Sequence, residues 1–345
     1  MPGPDRILVR LPTWVGDAVM ATPALRALRR RFPETEMILM GRASLEPLLA
    51  GGNLFDRYLP VASGRGRVGE NIARLRTCQA DIAILLPHSF RSAWETWWGK
   101  IPRRLGYARE LRGALLTDAL IPHRSGGKIV PVPMHHQYLE LVAILGAAGD
   151  GVGPLLAIDE GVEARGLERL AAIGVSGEGR WIGIHPGASF GPSKVYPLPR
   201  LAEVARRLRA EEEVGIVITC GPGEEDLAAE LENLIGGEVV SLSENLWPLD
   251  EFKVLVRHLD LLVTGDTGPR HIAAGLGVPQ LVLMGPTDPR YSAAFLEKTV
   301  VVRKDVPCGP CQLKVCPLDH RCMTEISPEE VISASKQLLA TVTGA

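Results

Sequence analysis

The chain has 345 residues, more than one hydrophobic core usually supports, so two domains of roughly 150–180 residues are expected. With 46% hydrophobic and 23% charged residues the composition is that of a folded globular protein and excludes a disordered or fibrous one. A formal net charge of −2, from 38 basic and 40 acidic residues, excludes a whole-molecule pull toward nucleic acid or anionic membrane, and six cysteines are too few for a disulfide scaffold.

The opening MPGPDRILVRLP runs directly into a short apolar strand, with no basic segment, long apolar core or small-residue cleavage site. No stretch reaches the roughly 18 apolar residues of a membrane span, so a cytoplasmic protein is expected, at most touching a membrane surface. The first half alternates strand and helix patterns: ILVRL (7–11) and a helix to about Arg31, EMILMG (36–41) and SLEPLLAGG, then DIAILLP (81–87). The second half repeats the scheme with WIGIHP (181–186), VGIVITCG (214–221), DLLVTGD (260–266) and PQLVLMGP (279–286), each separated by a helical pattern. Parallel strands joined by right-handed crossovers follow, hence an α/β fold of two doubly wound, Rossmann-like domains. The linker is placed around residues 150–180, giving domains 1–160 and 161–345, with the C-terminal helix free to pack back on the first domain. Two such sheets facing one another would share an interdomain cleft at the carboxyl ends of their strands.

The strand ends carry the candidate chemistry. After the first strand, LPTWVGDAVM offers Asp17, which is either a helix N-cap or a carboxylate able to take a proton from an attacking hydroxyl. The loop is not GxGxxG, which argues against a dinucleotide-dependent dehydrogenase. HPGASFGPSK combines small residues with the cation of Lys194, read as a phosphate contact or a solvated lysine. Asp266, Thr267 and Gly268 turn into a helix near Pro269, where free backbone N–H groups suit a diphosphate, and His271 follows as a further contact or a packing residue. Glu224, in GPGEED, sits past a strand end where a carboxylate can bind ribose hydroxyls or open a helix.

Together the stretches PTWVGDAVMATPAL, LPHSFRSAW, IPRRLGY, HPGASFGPSKVYP, GPGEE, TGDTGPRHIAAGLGVPQLVLMGPTDPR and the cysteine-bearing tail resemble the heptosyltransferases of glycosyltransferase family 9, from residue 7 to about 330. Residues 81–120 are more similar to heptosyltransferase II than to heptosyltransferase I. The resemblance implies the two-Rossmann GT-B architecture and an enzyme without cofactor. Its implied reaction is inverting, metal-independent transfer of heptose from ADP-L-glycero-D-manno-heptose to the inner core of lipopolysaccharide, at the second heptose. It also implies Asp17 as general base, Lys194 as a catalytic diphosphate contact, Ser189 facing the phosphates and Glu224 at the ribose. Asp266, Thr267, Gly268 and His271 fall in its phosphate-binding turn, and Trp247 near its adenine pocket. Val195-Tyr196 stand where the family usually has Arg-Trp. The implied partners are ADP-heptose and a lipid A-linked acceptor at the inner membrane surface, with no nucleic acid, and a monomer is expected.

Segment 91–112 holds six Arg/Lys against two Glu, a local charge of +4. Arg91, Arg103 and Arg104 are therefore expected to receive the acidic acceptor, and Trp94, Trp97 and Trp98 either form helix core or help the chain sit on a membrane. Cys308, Cys311, Cys316 and Cys322, spaced C-x2-C-x4-C-x5-C, are read as reduced packing residues, with a structural zinc or a disulfide pair as the other options. Two other functions stay open: another GT-B nucleotide-sugar transferase or epimerase, and a non-catalytic protein that binds nucleotide sugars or lipopolysaccharide core.

Overall fold

The computed structural model describes residues 3–62, 64, 66–175, 177, 179–292 and 297–342. The chain divides into two compact units between Ala157 and Ile158, and a short return beginning at Arg290 belongs to the first. In the first unit the order is β1 (Arg6–Arg10), α1 (Val15–Met20), α2 (Thr22–Arg31), β2 (Glu36–Gly41), α3 (Leu45–Leu49), β3 (Arg57–Pro60), α4 (Val68–Cys78), β4 (Ile82–Leu85), α5 (Phe90–Trp98), β5 (Arg103–Tyr107), β6 (Asp118–Leu120), the small pair β7 (Arg124–Ser125) and β8 (Lys128–Ile129), and α6 (Met134–Ala143). The second follows with α7 (Glu160–Ala172), β9 (Trp181–His185), α8 (Leu198–Glu212), β10 (Gly215–Ile218), α9 (Glu225–Ile235), β11 (Val240–Ser241), α10 (Leu249–Arg257), β12 (Leu261–Gly265), α11 (Gly268–Leu276), β13 (Gln280–Leu283), β14 (Thr299–Val302), α12 (Arg321–Thr324) and α13 (Pro328–Val342).

Each unit holds a six-stranded parallel sheet, in the orders β3-β2-β1-β4-β5-β6 and β11-β10-β9-β12-β13-β14. This is the doubly wound Rossmann order in both units, as the sequence pattern predicts. Central strands such as β4 and β13 are buried along their whole length, which is why they read as continuous apolar runs. In the second sheet Ile182, Ile184, Ile216, Ile218, Leu261 and Val263 point to one face and form a core with α8, α9 and α13. The alternate residues point the other way: Gly183 lets Leu259 and Leu262 close over β9 from the opposite face. In the first sheet Leu8, Ile38, Met40, Ala83 and Leu85 pack on Leu75 and Cys78 of α4 and Ala93 of α5. Truncating any of these buried leucine, isoleucine or methionine side chains to alanine costs on the order of 2–5 kcal/mol.

The C-terminal helix α13 packs on α8 and on β12, β13 and β14 of its own unit, whereas the sequence had left packing on the first domain open. The reason lies in Val331, Ile332, Leu338 and Leu339, which complete the core of the second sheet. Among the described residues no helix is long and apolar enough to cross a membrane.

The winding order also fixes where ligands meet each sheet. It reverses between β1 and β4 in the first unit and between β9 and β12 in the second. Crevices open at such switch points, outside the carboxyl ends of the strands. His185 and Thr264 are register partners at the end of β9 and β12, so the loops that follow them start side by side.

Candidate active site

In the second unit β9 delivers His185 to the switch point. Its ring lies with Nδ1 3.1 Å from Oγ1 of Thr219 and Nε2 3.2 Å from Oε2 of Glu224. Glu224 is the N-cap residue of α9 but makes no capping bond with its side chain. Its carboxylate instead folds back, accepting the Gly221 N–H at 2.9 Å and the Ser189 hydroxyl at 3.4 Å. Burial alone would raise its pKa, but contact with His185 and the bonds from Gly221 and Ser189 hold it below the usual carboxylate range. Gly187 makes this possible, because a Cβ there would stand 2.4 Å from Cδ of Glu224. Ser189 and Glu224 both line a recess of about 630 Å³, with Ala188, Tyr196, Gly223 and Leu227 among the other walls. That volume accommodates a nucleoside.

Lys194 closes a 3-10 turn at Pro192–Lys194. Its Nζ lies 3.0 Å from Oδ2 of Asp266, donates to the Asp266 carbonyl at 2.6 Å, and stands 5.0 Å from the Phe190 ring centre. Asp266 also accepts from Arg270 NH1 at 2.7 Å and from the Thr287 hydroxyl at 2.8 Å. Its carboxylate is thus filled by protein donors and positions two cations rather than facing an anion. Thr267 is the extended N-cap of α11, its hydroxyl 3.2 Å from that of Thr264, and Pro269 occupies the first turn. Pro269 brings no N–H of its own there, and the amino end of α11 carries positive potential. His271 stays neutral: burial, then the Arg270 cation, pushes its pKa down to about 3.

Asp17 lies in the first unit, as the third residue of α1. Trp14 is the N-cap there, so Asp17 does not fill the capping role. Its charge reaches the buried Tyr138 of α6, whose pKa is pushed well up by burial and then by Asp17. At the neighbouring β4 end, His88 faces Arg109 with Nδ1 2.9 Å from NH1 and meets the Tyr107 ring edge-on. Burial, with Arg109 and Arg112 beside it, lowers the His88 pKa to about 4. Arg112 is fully buried and donates to the carbonyls of Tyr107 and Pro87 and the hydroxyl of Ser92.

The expected acceptor cations separate. Arg103 and Arg104 open β5 and so lie at the amino end of a parallel strand, opposite the edge where ligands bind. Arg103 is paired with Asp118 at 2.8 Å, and Arg104 donates to the carbonyls of Leu115 at 2.7 Å and Ile101 at 2.5 Å. Both make bonds that fasten β5. Arg91 is in the first turn of α5, at the correct edge, with Nε on Glu95 at 2.8 Å. Trp247 is buried under the Arg169 guanidinium, 5.0 Å away, and no bond ties it to the Glu224 group. Trp94, Trp97 and Trp98 are not helix core, being 36–43% exposed.

The four C-terminal cysteines share the lining of one void of about 20 Å³. All four are free thiols in this structure. Among the described residues no three His, Cys, Asp or Glu side chains are arranged to hold a metal ion. Their loop instead grips the Lys194 turn: Ser193 donates its N–H to the Lys314 carbonyl at 3.1 Å and its hydroxyl to the Leu313 carbonyl at 2.6 Å, while His320 Nε2 lies 2.7 Å from the Ser193 carbonyl. Gly191, at φ +149°, approaches Lys314 so closely that a Cβ would stand 2.5 Å from its carbonyl oxygen.

Sequence reading missed His185, Gly187 and Arg270. His185 and Gly187 were visible as the last strand residue and the first small residue after it, and Arg270 as the i+4 partner of Asp266.

Comparison with known proteins settles the family. Residues 69–321 match the family model for glycosyltransferase family 9 (heptosyltransferase). The chain belongs to glycosyltransferase family 9. It is 29% identical to lipopolysaccharide heptosyltransferase 2 of Escherichia coli K12, over 97% of this chain and 98% of that one. It is 28% identical to lipooligosaccharide heptosyltransferase 2 of Haemophilus influenzae, over 97% and 99%. The solved structure of E. coli ADP-heptose lps heptosyltransferase II superposes with a TM-score of 0.80 at 27% identity, covering 97% of this chain and 99% of that one. This family 9 member is therefore a glycosyltransferase with the GT-B type of fold.

Proposed function

We propose that the enzyme transfers heptose from ADP-L-glycero-D-manno-heptose to the lipid A-linked inner core of lipopolysaccharide, at the second heptose, with inversion and without a metal ion. The observation that carries this reading is the Lys194–Asp266–Arg270 group at the start of α11, a positive site built for a leaving diphosphate. Similarity to proteins named heptosyltransferase 2 supports the sugar and the acceptor.

In this mechanism the acceptor hydroxyl attacks the anomeric carbon on the face opposite ADP, and Asp17 takes its proton. The bond from the anomeric carbon to the β-phosphate oxygen breaks, and ADP leaves with the electron pair. The third N–H of Lys194, not engaged by Asp266, and the positive amino end of α11 at Gly268 receive the growing charge. Ser189 faces the phosphates, Glu224 binds the ribose hydroxyls, neutral His271 adds a ring hydrogen bond, and Trp247 borders the adenine. Arg91 meets the acidic acceptor. The protein works as a cytoplasmic monomer at the membrane surface.

Turnover with ADP-heptose and a defined mono-heptosylated acceptor tests the reading, with the product anomer assigned by NMR and the assay repeated in EDTA. ADP should raise the melting temperature more than UDP or GDP does. Equal stabilisation by all three nucleotides, with no heptosyl product, overturns it.

A further inference from the structure

Helix α5 is sided in an unusual sense. Ser92, Ala93, Glu95 and Thr96 are buried against the first unit. Phe90, Trp94, Trp97 and Trp98 recur at i, i+4, i+7 and i+8, forming one stripe on the outer face. All four are 36–43% exposed, and their rings touch one another with centroids 5.3–5.9 Å apart. Leu111, in the turn that Arg112 ties to the first turn of α5, is 96% exposed. Single exposed apolar residues are ordinary, but a contiguous aromatic patch marks an interaction site.

The charge around the patch selects its occupant. Arg76 donates to the Trp98 carbonyl at 3.1 Å, Lys100 lies exposed two residues past the helix, and Arg91 is half exposed in the first turn. The one acid of α5, Glu95, is buried and engaged by Arg10, Arg91 and Asn71, so it presents no negative charge outward. Indole rings flanked by cations are the chemistry of a bilayer's headgroup layer, where amphipathic rings settle and basic side chains meet lipid phosphates. The helix spans about 13 Å, a length suited to lying in the interface rather than crossing it.

We propose that the aromatic face of α5 docks on an anionic phospholipid bilayer, with Trp94, Trp97 and Trp98 at headgroup depth and Arg76 and Lys100 on lipid phosphates. This deepens the proposed function by giving a membrane-linked acceptor a fixed approach to the edge that carries Asp17, and its test does not depend on turnover. The full chain is sedimented with vesicles of phosphatidylethanolamine and phosphatidylglycerol, and with phosphatidylcholine alone, in low and high salt. Tryptophan emission should shift to the blue on the anionic vesicles and be quenched by brominated lipid. Replacing Trp94, Trp97 and Trp98 together by serine should lower partitioning about tenfold or more, and R76Q with K100Q should remove the preference for anionic vesicles. Both variants should keep ADP-induced stabilisation, showing that they fold. Vesicle binding equal to wild type in the serine variant overturns the proposal, as does a Trp-dependent dimer in sedimentation equilibrium with no vesicle binding. Absence of heptosyl transfer with intact vesicle binding would remove the catalytic reading alone.

Discussion

Glu224 reaches the strand ends of the second sheet through the space that Gly187 leaves open, with 2.4 Å between its Cδ and the position a Cβ would take. G187A should therefore displace the carboxylate without disturbing the core. A lost hydrogen bond to a charged group is worth about 1.5–3 kcal/mol, so the KM for ADP-heptose should rise about 10–100-fold with a near-normal acceptor KM. The shorter E224D should recover part of the loss in the G187A background. Steady-state kinetics in both substrates checks this, and an unchanged donor KM would remove Glu224 from the donor site.

Lys194 and Arg270 converge on the Asp266 carboxylate, so D266N removes an acid that two buried cations share. Breaking a buried pair in this way costs about 3–5 kcal/mol. The same group gives an acid dependence. Burial would raise its pKa, yet Lys194 and Arg270 outweigh burial and hold it far below the usual range. A depressed pKa contributes stability in full above the unfolded value, about 3.9, and loses it as pH falls below that toward the folded value. Urea midpoints between pH 3 and 7 should drop below about pH 4 in the native enzyme, and D266N should lack that share of the drop.

In the proposed mechanism Asp17 acts on the acceptor and not on the donor. D17N should lower turnover by about 10²–10⁴ while the ADP dissociation constant, measured by calorimetry, stays at the native value. Retained turnover in D17N would assign the base elsewhere.

Arg103 and Arg104 fasten β5 at the end away from the ligand edge. Neutralising both to glutamine should leave the acceptor KM unchanged and lower the melting temperature by a few degrees. The exposed Arg103–Asp118 pair supplies at most about 1 kcal/mol of that loss. A raised acceptor KM would return them to the acceptor site.

The cysteine loop carries free thiols, and among the described residues no group of three His, Cys, Asp or Glu side chains is arranged for a metal. Elemental analysis of untagged protein should find no stoichiometric metal, and the denatured chain should titrate six thiols. One equivalent of zinc per chain would reverse this reading.

The alternation of apolar runs and helical periods made both sheets legible, because a parallel strand buried on both faces, such as QLVL in β13, shows itself as an unbroken apolar run. Candidate positions were legible where a residue directly follows a strand, as Asp266 does, or is the first cation in the loop after one, as Lys194 is. Roles that depend on side-chain direction were not. Arg103 and Arg104 share a charge-rich segment with Arg91, but only the fold tells which end of β5 they occupy. Asp266 looked like a phosphate contact, and of its three protein donors, at positions 194, 270 and 287, only Arg270 stands at a local helical spacing from it. Trp94, Trp97 and Trp98 fit helix core and surface stripe equally well by spacing, since periodicity gives the face of a helix and not what lies against it.

The grip of Leu313, Lys314 and His320 on Ser193 makes the donor turn and the cysteine loop a single module written in two places more than a hundred residues apart. Neither half can be transplanted alone. A chimera that takes residues 187–197 from a relative with another nucleotide preference should bind its nucleotide poorly until residues 308–322 are exchanged with them, and a chain cut short before Cys308 should lose donor binding even with every phosphate-facing residue in place.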